Sequence, residues 1–293
     1  MYYKASKLEE YAEPISNTEE QQCKNAIDMV KDALVDYGYT IKTTRNNYTS
    51  EGYAFYYELK SSDYSTITIL VQGSFANNTN IKRYSDVDVS VIYNPLIPLS
   101  LEAHFSNFKD NVYKALSKKF GTDVKRKNKS IKVEGNTYRK SIDVVPAFSV
   151  SSNIENGIQF ITDDGNKIIN YPLKQIYNEN TKNKNTNYKF KKYVRIFKNI
   201  RMDMETSNIT SAKEIGSFQI ESLIWNVSSE VFMKYTALGY GVEEIISYLV
   251  SNKYLIDSYY ESNGIKKLCN DYISKYHLEQ FITDISNYFK YEA

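Results

Sequence analysis

Residues 73–91 read GSFANNTNIKRYSDVDVSV, and they follow the apolar run TITILV (66–71) through Gln72. The stretch sets a problem. Gly-Ser closes one strand-like run, and two aspartates one residue apart open the next, VDVSVIY (87–93). Burying a carboxylate without a partner is unfavourable, so the DVD must have a reason. On a strand alternate side chains share a face, which puts Asp86 and Asp88 side by side. A divalent cation between them removes the repulsion, and oxygen ligands suit magnesium or manganese. Neighbouring Lys or Arg, or a solvated strand end, would also serve.

The preceding Gly73 and Ser74 favour the metal. A glycine after a strand permits unusual backbone angles and close approach of a ligand. A serine hydroxyl with the N–H groups of the next helical turn makes an anion cradle. A phosphate cradle beside paired carboxylates is the apparatus of phosphoryl or nucleotidyl transfer. A third carboxylate is then expected from another strand, and SIDVVPAF (141–148) supplies Asp143. Glu134, in a turn-like EGN, is the weaker candidate.

The rest of the chain is organised around these runs. SNTE (16–19) is a capping box, and Cys23, Ile27, Val30, Leu34 and Tyr37 mark one helix face up to Gly38. AFYYEL (54–59) is strand-like, and after Pro98 a second helix carries Phe105, Phe108, Val112, Ala115 and Leu116 to a stop at Gly121. VKRKNKSIKV (124–133) and TYRKSIDVVPAF (137–148) read as strands joined by EGN, the first as a lysine-rich edge. GIQFITDDGNKIINYP (157–172) reads as a hairpin about DG, and everything after Pro172 is helical. The boundary is placed at the polar NTKNKNTN (180–187), giving a core at 1–180 with an N-terminal helix and a helical domain at 181–293.

The totals exclude several classes. The 293 residues, 42% hydrophobic and 25% charged with a net charge of +2, describe a globular protein without a global pull toward nucleic acid or membrane. Two cysteines and two histidines make a thiolate or imidazole metal cluster unexpected. The start, MYYKASKLEEYAEP, lacks the apolar core of a signal peptide, and no apolar run suffices to span a bilayer, so the cytoplasm is the expected compartment. His104 and Trp225 read as packing residues, and the 28 tyrosines as composition.

Gly-Ser, eleven residues, Asp-x-Asp and a later strand Asp resemble the DNA polymerase β-like nucleotidyltransferase superfamily. Within it, SFANNTNIKRYSDVDVSVIY and SIDVVPAF are similar to the bacterial cGAS/DncV-like nucleotidyltransferases, synthases of cyclic oligonucleotide signals in antiphage defence. The resemblance spans essentially the whole chain. It implies an α+β fold, a polymerase-β-like core of mixed sheet flanked by helices, with a C-terminal helical nucleotide-binding domain. It implies a Mg²⁺ (or Mn²⁺) enzyme that condenses ribonucleoside triphosphates into a cyclic di- or oligonucleotide and releases pyrophosphate. Asp86, Asp88 and Asp143 would be catalytic and metal-binding, and Gly73 and Ser74 would hold phosphates.

In YKFKKYVRIFKNIR (188–201), Lys191, Arg195 and Lys198 share a helix face, with Tyr193, Ile196, Phe197 and Ile200 on the other. From 182 to 201 there are eight Lys/Arg and no acidic residue, either a solvated face or an anion-binding one. By the resemblance Lys198 and Ser217, in GSFQIESLIWNV (216–227), contact the triphosphate, and Phe218 stacks on a base. The implied partners are nucleotide substrates, an activating or regulatory protein, and an effector that reads the product. Zinc-dependent DNA sensing is not expected, and ANNTNIK lacks the Arg-Gly common after Gly-Ser in bacterial relatives. Two rivals remain: the same fold acting on an RNA end, protein or small-molecule acceptor, and a non-enzymatic nucleotide- or RNA-binding module.

Overall fold

A computed structural model describes residues 1–47, 54–60, 65–82, 86–95 and 100–292; residues 83–85 of the quoted stretch and Pro98 lie outside it. In chain order come β1 (Tyr2–Lys4), α1 (Ala5–Ala12), α2 (Asn17–Tyr37), β2 (Thr40–Asn47), β3 (Phe55–Lys60) and β4 (Thr66–Gln72). The short α3 (Gly73–Asn77), β5 (Val87–Asn94) and α4 (Leu101–Phe120) follow. Then come β6 (Val124–Arg126), β7 (Ile131–Val133), β8 (Ile142–Ser149), β9 (Ile158–Ile161) and β10 (Lys167–Asn170). The helical part holds α5 (Pro172–Asn185), α6 (Phe190–Thr206), α7 (Thr210–Glu214), α8 (Ser217–Trp225), α9 (Ser229–Met233), α10 (Leu238–Ser251) and α11 (Tyr272–Tyr288), closed by β11 (Lys290–Glu292).

Two compact units result. The sheet unit comprises residues 15–78 and 82–176, and the helical unit 1–14, 79–81 and 177–293. The division falls inside α5, and residues 1–14 group with the helical unit. The reason is local: β1 pairs in parallel with β11, Tyr3 stacks on Phe289, and the Tyr3 and Tyr11 hydroxyls both donate to Asp203.

In the sheet unit the strand order is β10-β9-β8-β5-β4-β3-β2, with β7 also on β8 and β6 on β7. One edge of β8 carries β5 along its length; the other is shared by β7, over Ile142–Val144, and β9, over Phe148–Ser149. The alternation in β5 explains the burial: Val87, Val89 and Val91 are fully buried, while Asp86 and Asp88 keep partial access to solvent. Each such valine contributes about 1.5–3 kcal/mol of burial, enough to pin a register that leaves the aspartates on the opposite face. Packed against the sheet, α2 starts with the expected Ser16–Glu19 capping box and ends at Gly38 (φ 125°), and α4 buries the aromatic face that its spacing predicts.

VKRKNKSIKV differs from expectation. It is two strands, β6 and β7, with a turn closed by the Lys127 N–H donating to the Ser130 carbonyl at 2.8 Å. Only β6 lies at the edge. β7 is flanked by β6 and β8, because Ile131 and Val133 are core residues that need cover on both sides.

Candidate active site

Four strands place four polar side chains in one row. Gln72 of β4 is the Cα partner of Asp88 in β5, Asp88 of Asp143 in β8, and Asp143 of Lys132 in β7. Directly paired residues share a face, so the two aspartates stand side by side with the lysine next in line. Asp86, two residues before Asp88, lies on the same face just ahead of β5. The three aspartates picked out in the sequence are thus brought together by strand register.

Lysines moderate the repulsion among them. Lys132 Nζ lies 2.8 Å from an Asp86 oxygen, and Lys127 Nζ 3.5 Å from Asp143 Oδ1. The Ser130 hydroxyl donates to the same Asp143 oxygen at 3.0 Å. The hydrogen bond it donates to Asp86 holds the Lys132 ammonium above the ordinary lysine range, against the opposing effect of partial burial. These three residues were missed by sequence reasoning, which treated their stretch as a solvated edge. The available signal was Lys132 itself, the polar residue of an Ile-Lys-Val alternation, hence on a face of its own. Glu134, just beyond β7, pairs with Lys125 at 2.9 Å.

Gly73 starts α3 with φ of 67°, a left-handed conformation that favours glycine. A Cβ there would lie 3.1 Å from Asp88 Cγ and closer still to Oδ2. The glycine therefore lets the backbone approach a carboxylate, and Ser74 follows it, partly exposed. Among the described residues no three His, Cys, Asp or Glu side chains already converge as a metal-binding group. The donors nevertheless fit a hard divalent cation: all are carboxylate oxygens, two are register partners, and two lie at ion-pair distance from lysine ammonium groups.

In the helical unit the basic face of α6 is not a solvated one. Lys191, Arg195 and Lys198 are all buried. Lys191 Nζ donates to the Asn180 amide oxygen, and Arg195 Nε to the Ala12 carbonyl at 2.7 Å. Burial pushes the Arg195 guanidinium down to about 10. Lys198 Nζ pairs with Glu221 of α8 at 2.5 Å and donates to the Thr79 carbonyl at 3.0 Å, while the Thr79 hydroxyl donates to the same Glu221. All three cations are therefore engaged inside the helical unit. A 17-residue helix with both faces covered must pair its cations internally. Ser217 and Phe218 open α8 and are exposed, Phe218 by 39%. Trp225 packs against the helical core as expected, whereas His104 is exposed on α4, its Nδ1 3.0 Å from the Ser100 carbonyl.

Comparison with known proteins agrees with this architecture. Residues 177–290 match the family model of the cGAS/DncV-like nucleotidyltransferase C-terminal helical domain. The chain is 35% identical to the cyclic GMP-AMP synthase CdnE03 of Staphylococcus schleiferi, over 100% of this chain and 98% of that protein. It is 31% identical to the cyclic dipyrimidine nucleotide synthase CdnE of Cecembia lonarensis, over 85% and 84%. Among solved structures, the CdnE cyclic dinucleotide synthase of Elizabethkingia meningoseptica with GTP and Apcpp superposes with a TM-score of 0.76 and 27% identity, covering 98% of both chains. No helix among the described residues is long and apolar enough to cross a membrane. With a mixed sheet that gathers three aspartates beside a Gly-Ser turn, and homologues that are cyclic nucleotide synthases, the chain belongs to the cGAS/DncV-like nucleotidyltransferases.

Proposed function

We propose that the protein condenses ribonucleoside triphosphates and closes the product into a cyclic di- or oligonucleotide, a second messenger in antiphage defence. The observation that carries this reading is the register of Asp88 against Asp143, with Asp86 on the same face and Gly73 hard against Asp88. Asp86, Asp88 and Asp143 would hold Mg²⁺, or Mn²⁺. When bound, the metal neutralises charge on the reacting phosphoryl group and on the leaving pyrophosphate.

The chain's own residues do the rest. The Ser74 hydroxyl and the N–H groups after Gly73 bind the β- and γ-phosphates. Asp143 takes the proton of the attacking sugar hydroxyl. That oxygen bonds to the α-phosphorus, the α–β phosphoanhydride bond breaks, and pyrophosphate leaves. A second attack with the same balance closes the ring. Ser217 and Phe218, exposed at the start of α8, are assigned to the triphosphate and a base. Lys198 reaches a phosphate only by giving up Glu221, so we assign it first to holding residues 79–81. Triphosphates are cytoplasmic metabolites, and we place the reaction there, with a regulatory protein and a product-reading effector as partners.

The test is incubation with all four ribonucleotides and Mg²⁺ or Mn²⁺, then phosphatase treatment and mass spectrometry. Phosphatase-resistant products with the masses of cyclic nucleotides are expected, and their masses name the bases. Extension of added RNA, or transfer to another acceptor without such products, would replace cyclisation by that activity.

A further inference from the structure

The β6–β7 hairpin is built to bring cations to the carboxylates. Its turn is anchored from below by Lys109 of α4, a buried lysine whose ammonium donates to the Lys127 and Asn128 carbonyls at 3.3 and 2.9 Å. The same ammonium pairs with Asp163 at 2.7 Å, and the Asp163 N–H donates back to the Asn128 carbonyl at 3.0 Å. The Asn128 side chain adds two bonds to Asp164, each 3.2 Å. A turn tied at this many points does not wander, so the reach of Lys127 to Asp143 and of Lys132 to Asp86 is set by the fold.

The electrostatics give that reach a purpose. Three carboxylates on one sheet face repel one another, and like charges directly across a strand pair are destabilising. Two ammonium groups leave the cluster with one net negative charge. The Lys132 side chain is largely covered, 18% exposed, whereas Asp86 is 42% exposed and open to an incoming ion. Lys132 also stands in register beside Asp143, so its charge bears on both carboxylates it neighbours.

We propose that Lys132 is a stand-in cation: it holds Asp86 while no metal is bound and surrenders it when a divalent ion enters. The inference rests on Asp86 being a metal ligand, as the proposed function has it. Two consequences follow. The metal-free protein is stabilised by Lys132, and metal entry must displace an ion pair, which weakens binding of metal alone. A nucleotide that brings its own divalent ion and triphosphate charge would supply the missing drive, so the site loads with substrate rather than in its absence. Lys132 is thus a positioning residue acting through Asp86.

The experiment follows thermal unfolding of the nucleotide-free protein against Mn²⁺ concentration, for wild type, Lys132→Met, Lys132→Arg, and Lys132→Met combined with Asp86→Asn. Lys132→Met should melt about 1–2 °C lower without metal, and its Mn²⁺ midpoint should fall about two- to fivefold, the factor an ion pair of this exposure commands. Lys132→Arg keeps the charge and should melt as wild type does. Adding Asp86→Asn to Lys132→Met should restore the metal-free melting point and abolish the Mn²⁺ response. An unchanged or raised Mn²⁺ midpoint in Lys132→Met overturns the proposal. So does a loss that Asp86→Asn repairs but Mn²⁺ does not, because the pair is then purely structural. If that Mn²⁺ silence extends to the wild type while the nucleotide assay still yields cyclic product, only the stand-in role has failed. If the assay fails too, the metal reading of Asp86 goes with it.

Discussion

Asp88 and Asp143 are Cα partners on adjacent parallel strands, one from each half of a split motif 55 positions apart in sequence. Everything proposed for the site depends on that pairing, since it sets two otherwise unfavourable strand carboxylates side by side, where the proposed metal would need them. Gly73 is fitted to it, its missing side chain leaving the space that Asp88 occupies.

Gly73→Ala should therefore damage the site more than Ser74→Ala. The added Cβ meets Asp88, and φ of 67° is strained for alanine. The expected loss is about 1–3 kcal/mol of stability from the backbone strain. Displacing Asp88 by about 1 Å should slow product formation about 10²-fold. Denaturant titration and pyrophosphate release measure the two effects. Wild-type turnover by Gly73→Ala would show that the close approach is incidental.

The buried Lys198–Glu221 pair makes a separate prediction about stability. Lys198→Met leaves Glu221 buried without its cation and should cost about 3–5 kcal/mol in urea unfolding. Combining it with Glu221→Gln, which still accepts from the Thr79 hydroxyl, should recover much of that loss. If Lys198→Met were as stable as wild type but bound nucleotide poorly, the lysine would serve the triphosphate alone.

How much was legible beforehand follows the range of the interactions. The strands with β-branched alternation, the capped α2 and the Gly-Ser/Asp-x-Asp spacing are local signals, and the structure has them where the pattern puts them. Asp143 was legible because a lone carboxylate in IDVVP has no local explanation. The pairing of β1 with β11 and the burial of α6's cations were not, because their partners lie up to 288 positions away in the chain. Lys191, Arg195 and Lys198 look the same in sequence whether their face meets water or Asn180, the Ala12 carbonyl and Glu221. Lys132 was misread for a related reason: an edge strand and an inner short strand differ only in what pairs with them.

A pH dependence follows from Lys182 of α5. Its ammonium donates to the Val227 carbonyl at 2.5 Å and lies 5.6 Å from the Phe232 ring centre. Burial pushes it down to about 8, against an unfolded value near 10.4. Between those values the unfolded chain binds the extra proton, so stability rises with pH; below about 8 the burial penalty is present in full. The gain across that window should be on the order of 1 kcal/mol, discounted for partial exposure. Chemical denaturation at about pH 7 and pH 10 measures it, and Lys182→Met should flatten the difference. A variant with the same pH slope as wild type would place the titration elsewhere.

The central claim is that Asp86, Asp88 and Asp143 together carry nucleotidyl transfer. The most direct measurement is pyrophosphate release from ribonucleoside triphosphates with Mg²⁺ or Mn²⁺ by wild type, by Asp143→Asn, and by Asp86→Asn with Asp88→Asn, each checked for the same melting behaviour. The account predicts that both variants stay folded and lose at least about 10³-fold in rate, the scale of removing preorganised charge at a transition state. Folded variants that release pyrophosphate at the wild-type rate would contradict it.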